Sequence, residues 1–365
     1  MKKILSTLII VLMFFSLTAC SMGTSTDSAS SSGSGSGATS GEDLLNPANF
    51  KSDKDKTEWT IAVVTKDNTA AWFKRMEVGV NEAGEKLSVN VIQKGPANAD
   101  AASQVQVIDD LIAQGVDALA VVPIDPGAIE SSLENALSQG IAVVTHEASN
   151  QENTLFDIEA FTSEAFGASL MDALAGEMGE KGKYAMMVGY TTSTTHMEYA
   201  NAQKAHQEKT YADMELINDG QVPSAESEES VDIAYERAKE ILKANPDLSG
   251  FTGVASPDSP GIAKAVEELG LQDKVNIVGV GTPNEFETFV KAGTINKLLL
   301  WDPANAGYAM VSAAVKILSG EEITEGTDLG VEGYEKVRII EGTNKTVIGD
   351  AALEISEENI DDYDF

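Results

Sequence analysis

Residues able to recognise a small molecule recur in short segments that each follow an apolar run. They are Lys66, Asp67 and Asn68 with Trp72 and Phe73, then Asp125, Glu147, His196 with Tyr199, Asp258, and Trp301 with Asp302 and Asn305. Carboxylates, amides and a lysine give hydroxyls partners when water is lost, and rings stack on the C–H faces between them, so the mixture suits a small polyhydroxylated ligand. Covalent and phosphate chemistry find no motif. Lys66-Asp-Asn-Thr-Ala-Ala-Trp-Phe73 has neither the G-x-G-x-x-G spacing nor the G-x-x-x-x-G-K-[ST] loop, which disfavours a nucleotide enzyme. No G-x-S-x-G elbow or H-E-x-x-H is present, and His146-Glu147 cannot place two histidines one helical turn apart. One cysteine and three histidines leave no disulfide framework and no Cys-rich metal cluster, so neither metal nor cofactor is expected.

Each candidate also has a structural reading. Phe73 opens a helical apolar stripe and fits a core position as well as a ligand wall, whereas Trp72 is out of phase with that stripe and leans towards the cleft. Lys66 directly follows a buried strand, where a side chain points into the crevice. Asp258 can cap the helix starting near Pro260 and still contact a ligand. His196 suits a helix start as well as a ligand donor, and Glu267-Glu268 belongs to a solvated helix face.

Alternating strands and helices must position these groups. Thr60–Val64 is a short apolar run, and Phe73, Met76, Val80, Ala83 and Leu87 then recur at spacings of four and three, a strand followed by an amphipathic helix. The unit repeats through strands at 89–92, 118–122 and 141–145. A second series after Asn150 has helices at 163–177, 196–210, 232–244 and 261–269 and strands at 184–188, 215–217, 250–254 and 276–280. The strands are apolar on both faces, which predicts parallel sheets covered by helices on both sides, in two α/β halves. Ligands of such sheets lie beyond the carboxyl ends of the strands, where the candidates above fall.

The 365 residues suit about two domains, and 42% hydrophobic against 23% charged residues is a globular composition. A formal net charge of −33 would repel phosphate backbones, so no nucleic-acid partner is expected. Residues 1–20 carry two lysines, then an apolar run from Ile4 to Leu17 too short to span a bilayer, then small residues: a secretory signal. Leu17-Thr-Ala-Cys20 resembles the lipobox of bacterial lipoproteins, which implies cleavage before Cys20 and its diacylation. The alternative is an ordinary signal peptide with Cys20 incidental. Loss of Lys2 and Lys3 would take the net charge from −33 to −35. Residues 21–40 are nearly all Ser, Gly, Thr or Ala, a flexible leash spanning roughly 25 Å by random-coil scaling. Residues 42–57 are polar, the linker is read as 21–57, and the fold is expected to start near Glu58.

With lipobox, leash and two α/β lobes in view, residues 58–365 resemble the type I periplasmic sugar-binding proteins that serve ABC importers. The branch binding autoinducer-2 and rhamnose is the most similar. The resemblance is carried by Gln104-Val-Gln106, by Ile277-Val-Gly-Val-Gly-Thr-Pro-Asn284, by Lys291-Ala-Gly-Thr294 leading to Leu300-Trp-Asp302, and by Glu358-Asn-Ile-Asp-Asp-Tyr-Asp-Phe365. In the autoinducer-2 receptors a lysine after the first strand contacts ligand, and Lys66 matches it. An aspartate after the fourth strand becomes Glu147, a Pro-Asp-Ala segment becomes Pro257-Asp258-Ser259, and an Asp-Gln pair becomes His196-Met197. The last change replaces an anionic acceptor and an amide by an imidazole and a thioether, which argues against tight autoinducer-2 binding and for a ligand with an apolar face, such as rhamnose.

The resemblance implies two lobes joined by three chain crossings, near 147–149, near 301–303 and after Leu318. Lobe 1 would be 58–147 with 303–322, and lobe 2 would be 148–302 with 323–365. It further implies a monomeric binding protein, tethered through Cys20 to the outer face of the bacterial membrane, that closes on its ligand and is read by a permease. The rivals are an autoinducer-2 receptor, a hydrolase using Glu147 and Asp258 on a glycoside, and a surface lipoprotein acting through basic partners. A cleft rich in polar groups disfavours the raised-pKa carboxyl that the hydrolase needs.

Overall fold

The structure, a computed structural model, describes residues 44–341 and 345–365; Cys20, the signal segment and residues 21–43 of the leash lie outside them. The strands and helices alternate as the apolar periodicity requires. The first run is Thr60–Val64 (β1), Ala71–Leu87 (α1), Asn90–Lys94 (β2), Ala101–Gln114 (α2), Ala118–Val121 (β3), Pro126–Ser138 (α3), Ala142–Thr145 (β4) and Phe156–Glu159 (β5). Next come Ser163–Met178 (α4), Gly182–Val188 (β6), Thr194–Thr210 (α5), Met214–Leu216 (β7), Ala225–Glu226 (β8), Val231–Ala244 (α6) and Leu248–Gly253 (β9). The rest is Asp258–Leu269 (α7), Asn276–Gly279 (β10), Pro283–Lys291 (α8), Lys297–Leu300 (β11), Pro303–Ser319 (α9), Arg338–Glu341 (β12), Lys345–Ile348 (β13) and Leu353–Ile355 (β14).

Two sheets result. One runs β12-β13-β5-β4-β3-β1-β2 and the other β14-β11-β10-β9-β6-β7, with β8 added to β6. Pairing is parallel except at β12 on β13 and β14 on β11. Strand order reverses between β1 and β3 in the first sheet and between β6 and β9 in the second, and the crevice beyond such a reversal is where a ligand fits. The segments after β1, β6 and β9 therefore face the site. In the first lobe α1 crosses α9 closely: a Cβ on Gly79 would lie 1.8 Å from the Ala304 carbonyl oxygen, so only glycine permits that approach. Among the described residues no helix is long and apolar enough to cross a membrane.

The expected lobe boundaries are wrong in two of three places. No strand is expected between 145 and 163, where acids alternate with apolar residues in the run Phe-Asp-Ile-Glu of β5. Instead all four are buried between β4 and β13. The first crossing is thus at 160–162, not 147–149. Residues after Leu318 stay with the first lobe through β13, so the third crossing is at 349–352. The chain also passes at 301–302 from β11 of the second sheet to α9, which packs on the first. The outer two are tied together, Gly349 N–H donating to Glu159 O at 2.8 Å and Ala351 N–H to Ala160 O at 3.2 Å. The linker also ends earlier than Thr57. Phe50 is buried in the core, and Ser52 N–H donates to Leu318 O at 2.9 Å, because this aromatic residue covers the end of α9.

Candidate functional site

A cavity of about 340 Å³ opens between the carboxyl ends of the two sheets, at the low end of small-molecule sites and of monosaccharide size. Its floor is a buried ion pair. Lys66, at the end of β1, places Nζ 2.6 Å from Glu147 Oε2, at the end of β4, and both side chains are about one-twentieth exposed (5% and 6%). Glu147 has φ 57°, a left-handed conformation that costs a non-glycine residue about 1–2 kcal/mol and turns its carboxylate back to the lysine. From the second lobe, His196 Nε2 lies 3.4 Å from Lys66 Nζ. An ammonium can only donate, so Nε2 accepts and Nδ1 carries the ring proton. That N–H faces Glu229 Oε1 at 3.8 Å, and the same oxygen is 4.0 Å from Lys66 Nζ.

The charges follow from this packing. Burial alone would raise Glu147, but Lys66, then His146 and His196, outweigh it and hold the carboxyl at about 2. Burial would likewise lower Lys66, and Glu147 with Glu229 reverses that, so both members of the pair are ionised. Burial, assisted by Lys66, pushes His196 down to about 3 and keeps it neutral. Glu229 has no such partner at close range, and burial, opposed by Lys66 and reinforced by Asp258 and Glu147, raises it to about 7.

The walls are aromatic. Trp72 and Trp301 meet edge to face at 4.8 Å, Trp301 packs on Phe161 at 5.3 Å, and Tyr199 on Phe166 at 4.8 Å. Two buried donors that line the cavity, His196 Nδ1 and Trp301 Nε1, have no hydrogen-bond partner within the protein. A buried donor left unmade costs about 1–3 kcal/mol, which a ligand oxygen would relieve. Contacts between the lobes surround the site: Tyr190 Oη donates to Ala99 O at 3.1 Å, and Ser149 Oγ to Glu198 Oε1 at 2.5 Å. Among the described residues no cluster of three or more His, Cys, Asp or Glu side chains is placed to hold a metal ion.

Of the residues singled out in the sequence, Lys66, Asp67, Trp72, Phe73, Glu147, His196, Tyr199, Pro257 and Trp301 line the cavity. Phe73 is both core and wall. The remaining seven lie outside the lining, Asn305 half-buried in the first turn of α9. Asn68 is exposed and its amide donates to Gly95 O. Asp125 accepts from the Gly127 and Ala128 amides as the cap of α3. Met197, on α5, is half-buried, packs on the core and lies outside the lining of the cavity. Asp258 is fully buried beneath the loop, where Oδ2 accepts from the Val254 and Ala255 amides at 3.1 and 2.9 Å. Ser259 is packed under Gly279. Asp302 caps α9 and takes Arg75 through two N–H groups at 2.8 and 2.5 Å.

Glu228, Glu229, Asn98 and Glu285 line the cavity without having been singled out. Glu228 and Glu229 follow β8, a strand of two residues with no apolar run to announce it. The signal available was the polar stretch Ser227-Glu-Glu-Ser230 just before a helix, the same context as the other strand ends.

Comparison with known proteins agrees with this architecture. Residues 61–322 match the sequence model of a family described as periplasmic binding protein domain. Ribose import binding protein RbsB of Bacillus subtilis is 24% identical over 329 residues, 88% of this chain and 95% of that protein. Among solved structures, LsrB from Clostridium saccharobutylicum in complex with AI-2 superposes with a TM-score of 0.76 at 22% identity, covering 84% of this chain and 100% of that one. A solute-binding protein of an ABC transporter from Clostridium phytofermentas with bound L-rhamnose gives 0.77 at 20% identity, covering 85% and 99%.

Proposed function

This chain belongs to the periplasmic binding protein family, and we propose that it is the exported solute-binding protein of an ABC importer, taking one monosaccharide-sized ligand between its lobes. The observation that carries the reading is the cavity itself. Lys66 and Glu147 from one lobe meet His196, Tyr199 and Glu229 from the other, and two residues of the lining, His196 and Trp301, carry buried donors that have no partner within the protein. A ligand that bonds to both lobes favours the closed form, and a permease that recognises only that form then draws on loaded protein. The sugar ligands of similar proteins, rhamnose and arabinose among them, support the chemical class. Tethering through Cys20, a monomeric state and a permease partner belong to the same proposal.

His196 presents an N–H where autoinducer-2 receptors present a carboxylate, so autoinducer-2 is a weaker ligand here than a sugar. The test is a thermal-shift screen of the purified protein with pentoses, 6-deoxyhexoses, hexoses, polyols and autoinducer-2. A true ligand at 100 times its Kd adds about 2.7 kcal/mol of stability and raises Tm by several degrees. Submicromolar autoinducer-2 binding would overturn the ligand order. Absence of any shift with the whole panel, or turnover of a glycoside, would overturn the reading.

A further inference from the structure

The cavity is unevenly charged. Among the described residues lining it are five carboxylates, Asp67, Glu147, Glu228, Glu229 and Glu285, and one cation, Lys66. Three of the acids have partners in the protein. Asp67 Oδ1 accepts from the Thr69 and Ala70 amides, Glu147 holds Lys66, and Glu285 Oε2 accepts from the Thr282 hydroxyl. Glu229 differs. Its side chain is 11% exposed, and its two nearest charge or N–H partners, His196 Nδ1 at 3.8 Å and Lys66 Nζ at 4.0 Å, stand beyond hydrogen-bond length. The backbone is shaped to put it there. Glu228 and Glu229 both have positive φ, 53° and 55°, and Glu229 Oε1 sits over Gly189, where a Cβ would come within 2.5 Å of it.

A second buried group points the same way. His196 is 4% exposed, lines the cavity, and its Nδ1–H has no acceptor. A ligand must therefore offer Glu229 a donor and offer His196 an acceptor beside it. A neutral hydroxyl on Glu229 would supply one hydrogen bond and leave a carboxyl that burial raises to about 7, so that near neutral pH it is ionised only in part. A protonated amine supplies a shorter charge-assisted bond and neutralises the carboxylate, while the remaining acids at the rim and the −33 charge of the chain favour a cation and repel an anion.

Building on the sugar-cleft reading, we propose that the ligand is a sugar or polyol carrying a protonated amine next to a hydroxyl, the amine seated on Glu229 and the hydroxyl oxygen accepting from His196 Nδ1. Sugar acids and sugar phosphates are excluded by the same arrangement.

The test is calorimetry near neutral pH on the purified protein. The probes are D-glucosamine, D-galactosamine, D-mannosamine and 1-amino-1-deoxy-D-glucitol, each against the parent with a hydroxyl in place of the amine and against its N-acetyl derivative, which has lost the charge. At least one amine is expected to bind about tenfold or more tightly than its parent and its acetamide, and in Glu229→Gln that ratio is expected to fall to about threefold or less. If parents bind and no amine exceeds its own parent, the amine assignment is wrong while the sugar cleft stands. If an amine preference persists undiminished in Glu229→Gln, Glu229 is not its seat and the assignment is equally wrong. If neither amines nor any neutral sugar binds, the cleft reading falls with it. The wild-type comparison decides the ligand class even if the variant does not fold.

Discussion

Replacing Lys66 by methionine keeps the length of the side chain and removes the cation beside Glu147, whose side chain is 6% exposed. The worth of that cation can be estimated from the carboxyl it holds. Lowered from an ordinary 4.5 to about 2, the Glu147 carboxyl contributes about 3 kcal/mol to folding at neutral pH, at ~1.4 kcal/mol for each pKa unit. Because this pKa is depressed, the contribution is complete above the unfolded value near 4.5 and drains away as pH falls from 4.5 to about 2. Without Lys66, burial is left as the dominant influence and the carboxyl titrates above its unfolded value, so the slope inverts and stability is lost as pH rises past about 4.5. Lys66→Met is therefore expected to cost about 3–5 kcal/mol at neutral pH and much less at pH 4, the cost of stranding a buried charge. The double variant Lys66→Met with Glu147→Leu, which removes the stranded charge as well, is expected to recover most of that loss. Urea unfolding of the two variants and wild type from about pH 4 to 8 reads all of this. A single variant that loses under about 1 kcal/mol at neutral pH, or a double variant no more stable than the single, would refute the account of the pair.

Cys20→Ser removes the thiol that lipidation needs, and the protein is expected to leave the membrane fraction; continued tight membrane association with the signal cleaved would contradict the tether. Asp258→Ala leaves the Val254 and Ala255 amides without their acceptor and is expected to cost about 1–3 kcal/mol of stability by urea titration, with its effect on ligand affinity following from the displaced loop. Glu229→Gln is expected to stabilise the ligand-free protein at pH 8 and not at pH 4, since a carboxyl raised to about 7 favours folding only while protonated; melting curves at the two pH values check the sign. Arg75, on α1, lies 4.5 Å over the ring of Phe365, which the Asn284 amide ties to the second lobe, so Arg75→Ala should remove about 0.5–1 kcal/mol from the contact between lobes and shift small-angle scattering towards a more open form.

The parts of the fold that were legible in the sequence are those decided by burial of apolar runs. Strands such as Thr60–Val64 and Ala118–Val121 are buried at every position but one and could not be mistaken for loops. The same criterion fails at β5, where Asp157 and Glu159 are as buried as Phe156 and Ile158. Their presence inside the sheet is made tolerable by chemistry invisible to periodicity. Asp157 accepts from the Thr145 hydroxyl at 2.8 Å, and burial pushes both carboxyls up, Asp157 to about 6 and Glu159 well above its ordinary value, which favours their neutral forms. The site shows the same division. Lys66, Glu147 and His196 were legible because each follows a readable strand or opens a helix, whereas Asp258 and Asp302 carry equally polar side chains that the backbone amides and Arg75 claim first. Residue type and position after a strand thus select the side chains that can reach the cleft, but local acceptor demand decides which of them remain free. Glu229 was hidden because β8 is too short to announce it, and the local structure that hid it also leaves its carboxylate without a bonded partner inside the cavity.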